Sequence, residues 1–247
     1  MKKLERETLS DSAAAFLKER SEKVLGAASP RKEAEHLWGL KENLAFEEIR
    51  TKLQSMATGL QRCMYCEDSV GTDIEHFWPK SKYPERAFSW TNYLLACSGC
   101  NSNEKRDQFP LDGAGLPLLV DPTREDPRTH LVLSVRTGKY KPRTHEGVES
   151  LKGQWSIKVF GLDRDILEKG RTDAWHTIPA LLLRYDAACQ QENWLLALAV
   201  QRTLCRTPFA SVFVWFRDIA ESTNAARFID ERCLRVLEQY PDIRDWL

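Results

Sequence analysis

Two Cys-x-x-Cys pairs, Cys63-Met64-Tyr65-Cys66 and Cys97-Ser98-Gly99-Cys100, bracket 30 residues within a chain of 247. Two residues between cysteines let both thiolates of one tight turn reach the same tetrahedral ion, with Zn–S near ~2.3 Å. Four thiolates make a closed site with no open position for water. The pattern therefore predicts a structural Zn²⁺ held by Cys63, Cys66, Cys97 and Cys100. The bland alternatives are a redox pair or chance, but neither pair opens a thioredoxin-like strand–helix unit. The interval exceeds the ribbon spacing of about 15–20 residues, so a further element is folded between the knuckles.

Cys189, Cys205 and Cys233 stand singly in a helical pattern and read as small core residues. Seven cysteines, an odd number with no apolar leader behind Met1-Lys2-Lys3, argue against a disulfide framework and a signal peptide. The longest apolar run is Trp194–Val200, far short of the ~20 residues of a spanning helix. The expectation is a cytoplasmic protein with no membrane association. Lys+Arg and Asp+Glu are 36 each, so no whole-chain field draws it to nucleic acid. A hydrophobic content of 42%, with 8 Trp, excludes a disordered chain.

Four stretches follow. Residues 1–60 read as helical, with Ser29-Pro30 as cap and first residue, Leu37, Leu40, Leu44 and Ile49 on one apolar face, and Gly59 as a stop. Residues 61–110 carry the knuckles. Residues 111–162 are rich in turn formers, with a strand at His130–Val135 turning through Thr137-Gly138 into a second strand. Residues 163–247 are helical, with Trp194, Leu195, Leu198, Phe209, Phe213, Trp215 and Phe216 read as core, or in part as a docking surface. The predicted class is α+β, a small zinc-stapled centre with mainly helical flanks.

Between the knuckles, Asp73-Ile74-Glu75-His76-Phe77-Trp78-Pro79-Lys80 sets a carboxylate before a histidine and ends on proline. Neighbouring side chains of an extended segment point to opposite faces. Glu75 and His76 thus serve adjacent points of one site, as metal-assisted hydrolysis requires. A hard Mg²⁺ or Mn²⁺ ion takes oxygen ligands, and a neutral imidazole accepts a proton from water. Asn92 offers an amide to fix a loop or orient the imidazole. Asn101 offers an amide oxygen, with Asn103 as an alternative, and Lys105 a charge for phosphate. Taken singly, each has an ordinary reading: a hydrogen-bonded histidine, or asparagines in turns.

Their order resembles the zinc-knuckled branch of the HNH nucleases, on Cys63-x-x-Cys66, Glu75-His76-Phe77-x-Pro79, Asn92 and Cys97-x-x-Cys100-Asn101-x-x-x-Lys105. Within that branch, Ile74–Pro84 and Cys97–Asp107 are similar to the PtuB-type subunits of Septu and related retron anti-phage systems. The resemblance implies a ββα-metal centre that cuts DNA. In it His76 is the general base, Asn92 the middle Asn, and Glu75 with Asn101 hold the catalytic ion. The resemblance also implies a PtuA-type ATPase partner, since this chain has no GxxxxGK[ST] loop of its own. Glu75 stands where Asp is common, and Asn101 where His is common.

Residues 62–110 hold six Lys/Arg against seven Asp/Glu, a net of −1. The basic excess lies downstream, in Arg136–Arg143. Lys139, Lys141 and Arg143, with Lys105, are therefore the predicted phosphate contacts, and Tyr140 a base-stacking ring. The alternatives are a noncatalytic zinc-stabilised adaptor for nucleic acid or protein, an HNH nuclease acting on RNA such as tRNA, and association with a second copy of the chain.

Overall fold

The computed structural model describes residues 1–246. Ten extended residues lead into three helices, α1 (Asp11–Gly26), α2 (Pro30–Gly39) and α3 (Leu44–Met56). Pro30 opens α2 as expected, but Ser29 makes no side-chain cap. The Asn43 side chain instead caps α3, accepting from the Phe46 N–H at 3.2 Å. This second cap divides the apolar face read across residues 37–49. Leu37 and Ile49 are buried, whereas Leu40 and Leu44 fall at the break and are exposed. The face that packs is Phe46, Ile49, Leu53 and Met56 of α3, at helical spacing. Gly59, at φ +60, lies three residues past the helix end.

The centre is one antiparallel pair, β1 (Asp73–His76) and β2 (Tyr93–Ala96), in register Asp73↔Ala96 through His76↔Tyr93. A π-helical segment, Gly99–Lys105, follows β2 and ends at Arg106, whose φ of +52 stops it. The predicted downstream hairpin is present as β3 (Leu131–Ser134) and β4 (Lys139–Pro142). Gly138 sits in its turn at φ +67, where a Cβ would lie 1.9 Å from the Glu168 carbonyl oxygen. No other residue fits there. A short pair, β5 (Thr144–His145) and β6 (Val148–Glu149), leads into α4 (Leu151–Val159).

Helix α4 lies in a stretch expected to be loops. Ser150 caps it, accepting from the Gly153 N–H at 3.1 Å, and Gly153, having no Cβ, lets the helix approach the His130 carbonyl. Four helices complete the chain: α5 (Asp165–Gln190), α6 (Trp194–Arg206), α7 (Ala210–Ala220) and α8 (Glu231–Gln239). Phe209, Phe213, Trp215 and Phe216 are buried, but Trp194, Leu195 and Leu198 are exposed on α6. The α6 face turned to α5 carries Ala197, Val200 and Leu204, so those three apolar residues fall on its outer side.

One apolar core runs through all four stretches, from Met1 and Phe46 through Leu94 and Leu133 to Phe216 and Ile243. The first knuckle is seated in it: Tyr65 stacks on Phe160 at 3.9 Å and 15°. Next to that knuckle, Glu67 accepts from the buried Met1 ammonium at 2.8 Å and from the Ser211 hydroxyl. Among the described residues no helix is long and apolar enough to cross a membrane.

Candidate active site

The four knuckle sulfurs are buried, unpaired by disulfides, and all lie within 4.8 Å of one another. Cys66 and Cys97 Sγ are 3.8 Å apart, the edge of a tetrahedron whose centre-to-corner distance is ~2.3 Å. The donor set and its size fit Zn²⁺. The Arg164 Nη2 donates to Cys100 Sγ at 3.1 Å, a partner that nothing in the sequence pattern indicated.

The two knuckles carry the strand pair between them: Met64 N–H donates to the Leu95 carbonyl at 2.8 Å, and Cys63 and Cys97 flank β1 and β2. The loop joining β1 to β2 is then tied by Asn92. Its Oδ1 accepts from the Trp78 N–H at 2.7 Å, and its Nδ2 donates to the carbonyls of Trp78 and Arg86 at 3.0 Å each. Asn92 is buried and does not line the cleft beside β1; it clasps the loop. The expectation that it fixes a loop matches this geometry; contact with reacting atoms does not.

The clasped loop presents the Ala87 carbonyl, which accepts from His76 Nε2 at 2.9 Å and from the Tyr93 hydroxyl at 2.7 Å. That bond sets the imidazole tautomer, with the proton on Nε2 and the lone pair on Nδ1. The Trp38 indole packs against the ring at 4.3 Å between centroids. Burial pushes the His76 imidazole down to about 3, so it is neutral at physiological pH.

Glu75, one residue earlier, is buried with Oε1 2.6 Å from Lys105 Nζ. The same ammonium also donates to the His76 carbonyl at 2.9 Å. Burial raises the Glu75 pKa against the pull of Lys105. Lys105 is thus a correction. It was expected to meet phosphate at the surface, but it is fully buried, because a carboxylate inside the core needs a counter-charge.

Glu75, His76 and Asn101 line one open cleft of about 340 Å³ together with Asp73. Asp73, two residues before Glu75, shares its strand face by the period of two, a signal the sequence reading passed over. Asn101 Nδ2 donates to Asp73 Oδ2 at 3.0 Å, which leaves its amide oxygen as the remaining ligand atom. Asn103 is exposed and outside the cleft lining. The donor set of Asp73, Glu75 and the Asn101 amide oxygen, all oxygen, is the kind a hard divalent cation takes.

The basic hairpin is elsewhere. Lys139, Lys141 and Arg143 are not in the cleft lining. Lys139 stands 3.7 Å from Glu168, and Arg143 donates to the Arg128 carbonyl and lies over Trp215. Tyr140 is also a correction: alternation along β4 buries its ring, and its hydroxyl meets the Met1 ammonium. The positive charge at the cleft comes instead from Lys41, Arg50, Lys80 and Arg106. Two of these belong to the N-terminal helical stretch, where no spacing pointed to the site.

Two buried cysteine knuckles, a strand pair and a helical turn that together hold a carboxylate, an imidazole and an amide define a zinc-knuckle-type α+β protein with a polar cleft. No known family model matches the chain. It is similar to the Septu protein PtuB of Bacillus mycoides (strain KBAB4), 33% identical over 154 residues, covering 51% of this chain and 50% of that protein. It is likewise similar to the Septu protein PtuB of Bacillus thuringiensis, 28% identical over 118 residues, covering 46% and 41%. The resemblance to PtuB-type proteins drawn from the motifs is therefore borne out. The chain spans about half the length of these relatives or less.

Proposed function

We propose that this chain is a metal-dependent HNH endonuclease of the ββα-metal type that hydrolyses DNA phosphodiester bonds as the nuclease effector of an anti-phage defence system. The observation that carries the reading is the convergence of Glu75, His76 and Asn101 on one open cleft, with the His76 tautomer set by the Ala87 carbonyl. A noncatalytic adaptor requires none of these. The relatives' name, Septu protein PtuB, supports a part in a Septu system, and the ATPase partner is what the resemblance of the motifs implies.

His76 Nδ1 takes the proton of a water aligned opposite the leaving 3′ oxygen. Burial and the Lys80 and Lys105 charges oppose the imidazolium that forms, the Ala87 carbonyl favours it, and a substrate phosphate in the cleft would favour it further. Asn92 keeps the Ala87 carbonyl in place by holding the loop on both sides of it. Glu75 and Asn101 would hold a divalent ion such as Mg²⁺ or Mn²⁺, and such an ion would supply charge stabilisation to the phosphate being cut. Cys63, Cys66, Cys97 and Cys100 would hold a Zn²⁺ that keeps strand pair and helical turn in register, because about 50 residues do not do so by burial alone.

The test is plasmid nicking by the purified, zinc-loaded chain, alone and co-expressed with its ATPase partner, with Mg²⁺ or Mn²⁺. Metal-dependent cleavage that His76→Ala abolishes is expected, and activity is expected to rise with the partner. Cleavage of RNA in place of DNA would change the substrate; full cleavage by His76→Ala, or none of either nucleic acid by the complex, would sink the assignment.

A further inference from the structure

Lys41 and Lys80 come from segments 39 positions apart, one following α2 and the other following β1, and both line the cleft. Their ammonium groups stand 5.8 and 5.7 Å from the centre of one ring, the indole of Trp38. That indole is a fixed platform. It packs edge-on against Phe46 at 5.3 Å, tilted against Tyr93 at 5.7 Å, and against the His76 imidazole.

Neither lysine has an ion-pair partner among the described residues, and neither do Arg50 and Arg106 on the same cleft. The carboxylates whose field reaches Lys80 are Glu35 and Glu75. Each is already engaged by another cation, Glu35 by Arg31 at 3.2 Å and Glu75 by Lys105 at 2.6 Å. Cation–π attraction holds each lysine near the ring but does nothing to relieve the repulsion between them. Two half-buried, uncompensated ammonium groups around one rigid surface are a receptor for an anion. The cleft is open, with a volume of about 340 Å³, and the receptor adjoins the His76 imidazole, whose Nδ1 makes no hydrogen bond.

We infer that Lys41 and Lys80, set around Trp38, form a seat for a backbone phosphate of the nucleic-acid substrate next to the phosphate that reacts. The inference rests on the nuclease reading and adds to it a function for the N-terminal helices: α2 supplies the platform of the substrate site. A phosphodiester seated beside the indole would supply the counter-charge that neither ammonium group has in an ion pair, next to His76, on which the indole packs. The hairpin lysines, outside the cleft, have no part in this seat.

The test uses the zinc-loaded His76→Ala chain, which binds without turnover, and a fluorescein-labelled DNA duplex followed by anisotropy at several salt concentrations. Lys41→Ala combined with Lys80→Ala is expected to weaken binding about tenfold and to lower the salt slope by about one. Lys139→Ala combined with Lys141→Ala should leave that slope unchanged. Melting curves confirm that both double variants remain folded. If the parent binds and the Lys41/Lys80 variant binds equally well with the same slope, the seat is overturned while the nuclease reading stands. If the loss is seen but the His76-intact chain and its complex cut neither DNA nor RNA, the seat holds and the nuclease reading falls. A parent that binds neither duplex DNA nor RNA overturns both.

Discussion

Lys105 Nζ lies 2.6 Å from Glu75 Oε1, with both side chains buried and 30 positions apart in the chain. The pair joins the helical turn after the second knuckle to the strand that carries His76. Removing one partner of such a pair leaves a naked charge inside the protein. Lys105→Ala is expected to cost about 3–5 kcal/mol, read by chemical denaturation of the zinc-loaded protein. A variant as stable as the parent would show that Glu75 is not charged in the folded state.

Asn92→Ala removes one donor pair and one acceptor that hold Trp78 and Arg86. At least one buried backbone group is left without a partner, an expected loss of about 1–3 kcal/mol. Activity should fall as well, through misplacement of His76, and Asn92→Asp, which keeps the acceptor for the Trp78 N–H but turns a buried carboxylate oxygen onto the Trp78 and Arg86 carbonyls, should lose at least as much. An Asn92→Ala chain as stable and as active as the parent would show that the loop does not depend on the clasp.

Zinc removal by a chelator is expected to unfold the centre, since a structural ion supplies about 10–16 kcal/mol of binding free energy in small finger peptides. Cys100→Ser should lose the ion outright. Arg164→Gln deletes the donor to Cys100 Sγ, and is expected to speed zinc release to a chromogenic chelator by about 10–100-fold with the four thiolates intact. An unchanged release rate would remove Arg164 from the zinc site.

Gly138→Ala forces a Cβ onto the Glu168 carbonyl at 1.9 Å, at a φ of +67. The hairpin must move off α5, and a loss of more than about 1 kcal/mol is expected in the melting curve. Gly113→Ala, where a Cβ meets nothing, is the matched control and should be neutral or slightly stabilising.

What could be read along the chain was whatever is set by neighbours in sequence. The Cys-x-x-Cys turns bring sulfurs together within four residues, and their gathering into one cluster follows from the needs of a tetrahedral ion. The β3–β4 hairpin follows from alternation around Thr137-Gly138, and Asn92 was recognisable as a residue that fixes a loop. Which side of an element faces inward is what the sequence pattern does not carry. Trp194, Leu195 and Leu198 look like core but lie on the outer side of α6, because the side that meets α5 is chosen by packing. Lys105 looks like a surface cation but is drawn inward by a buried carboxylate 30 positions away. Trp38, Lys41 and Arg50 carry no signal at all, since only the docking of α2 and α3 against the strand pair brings them to the cleft. Local geometry is encoded by spacing, whereas the partners of a charge or a ring are decided by which distant surfaces the common core forces into contact.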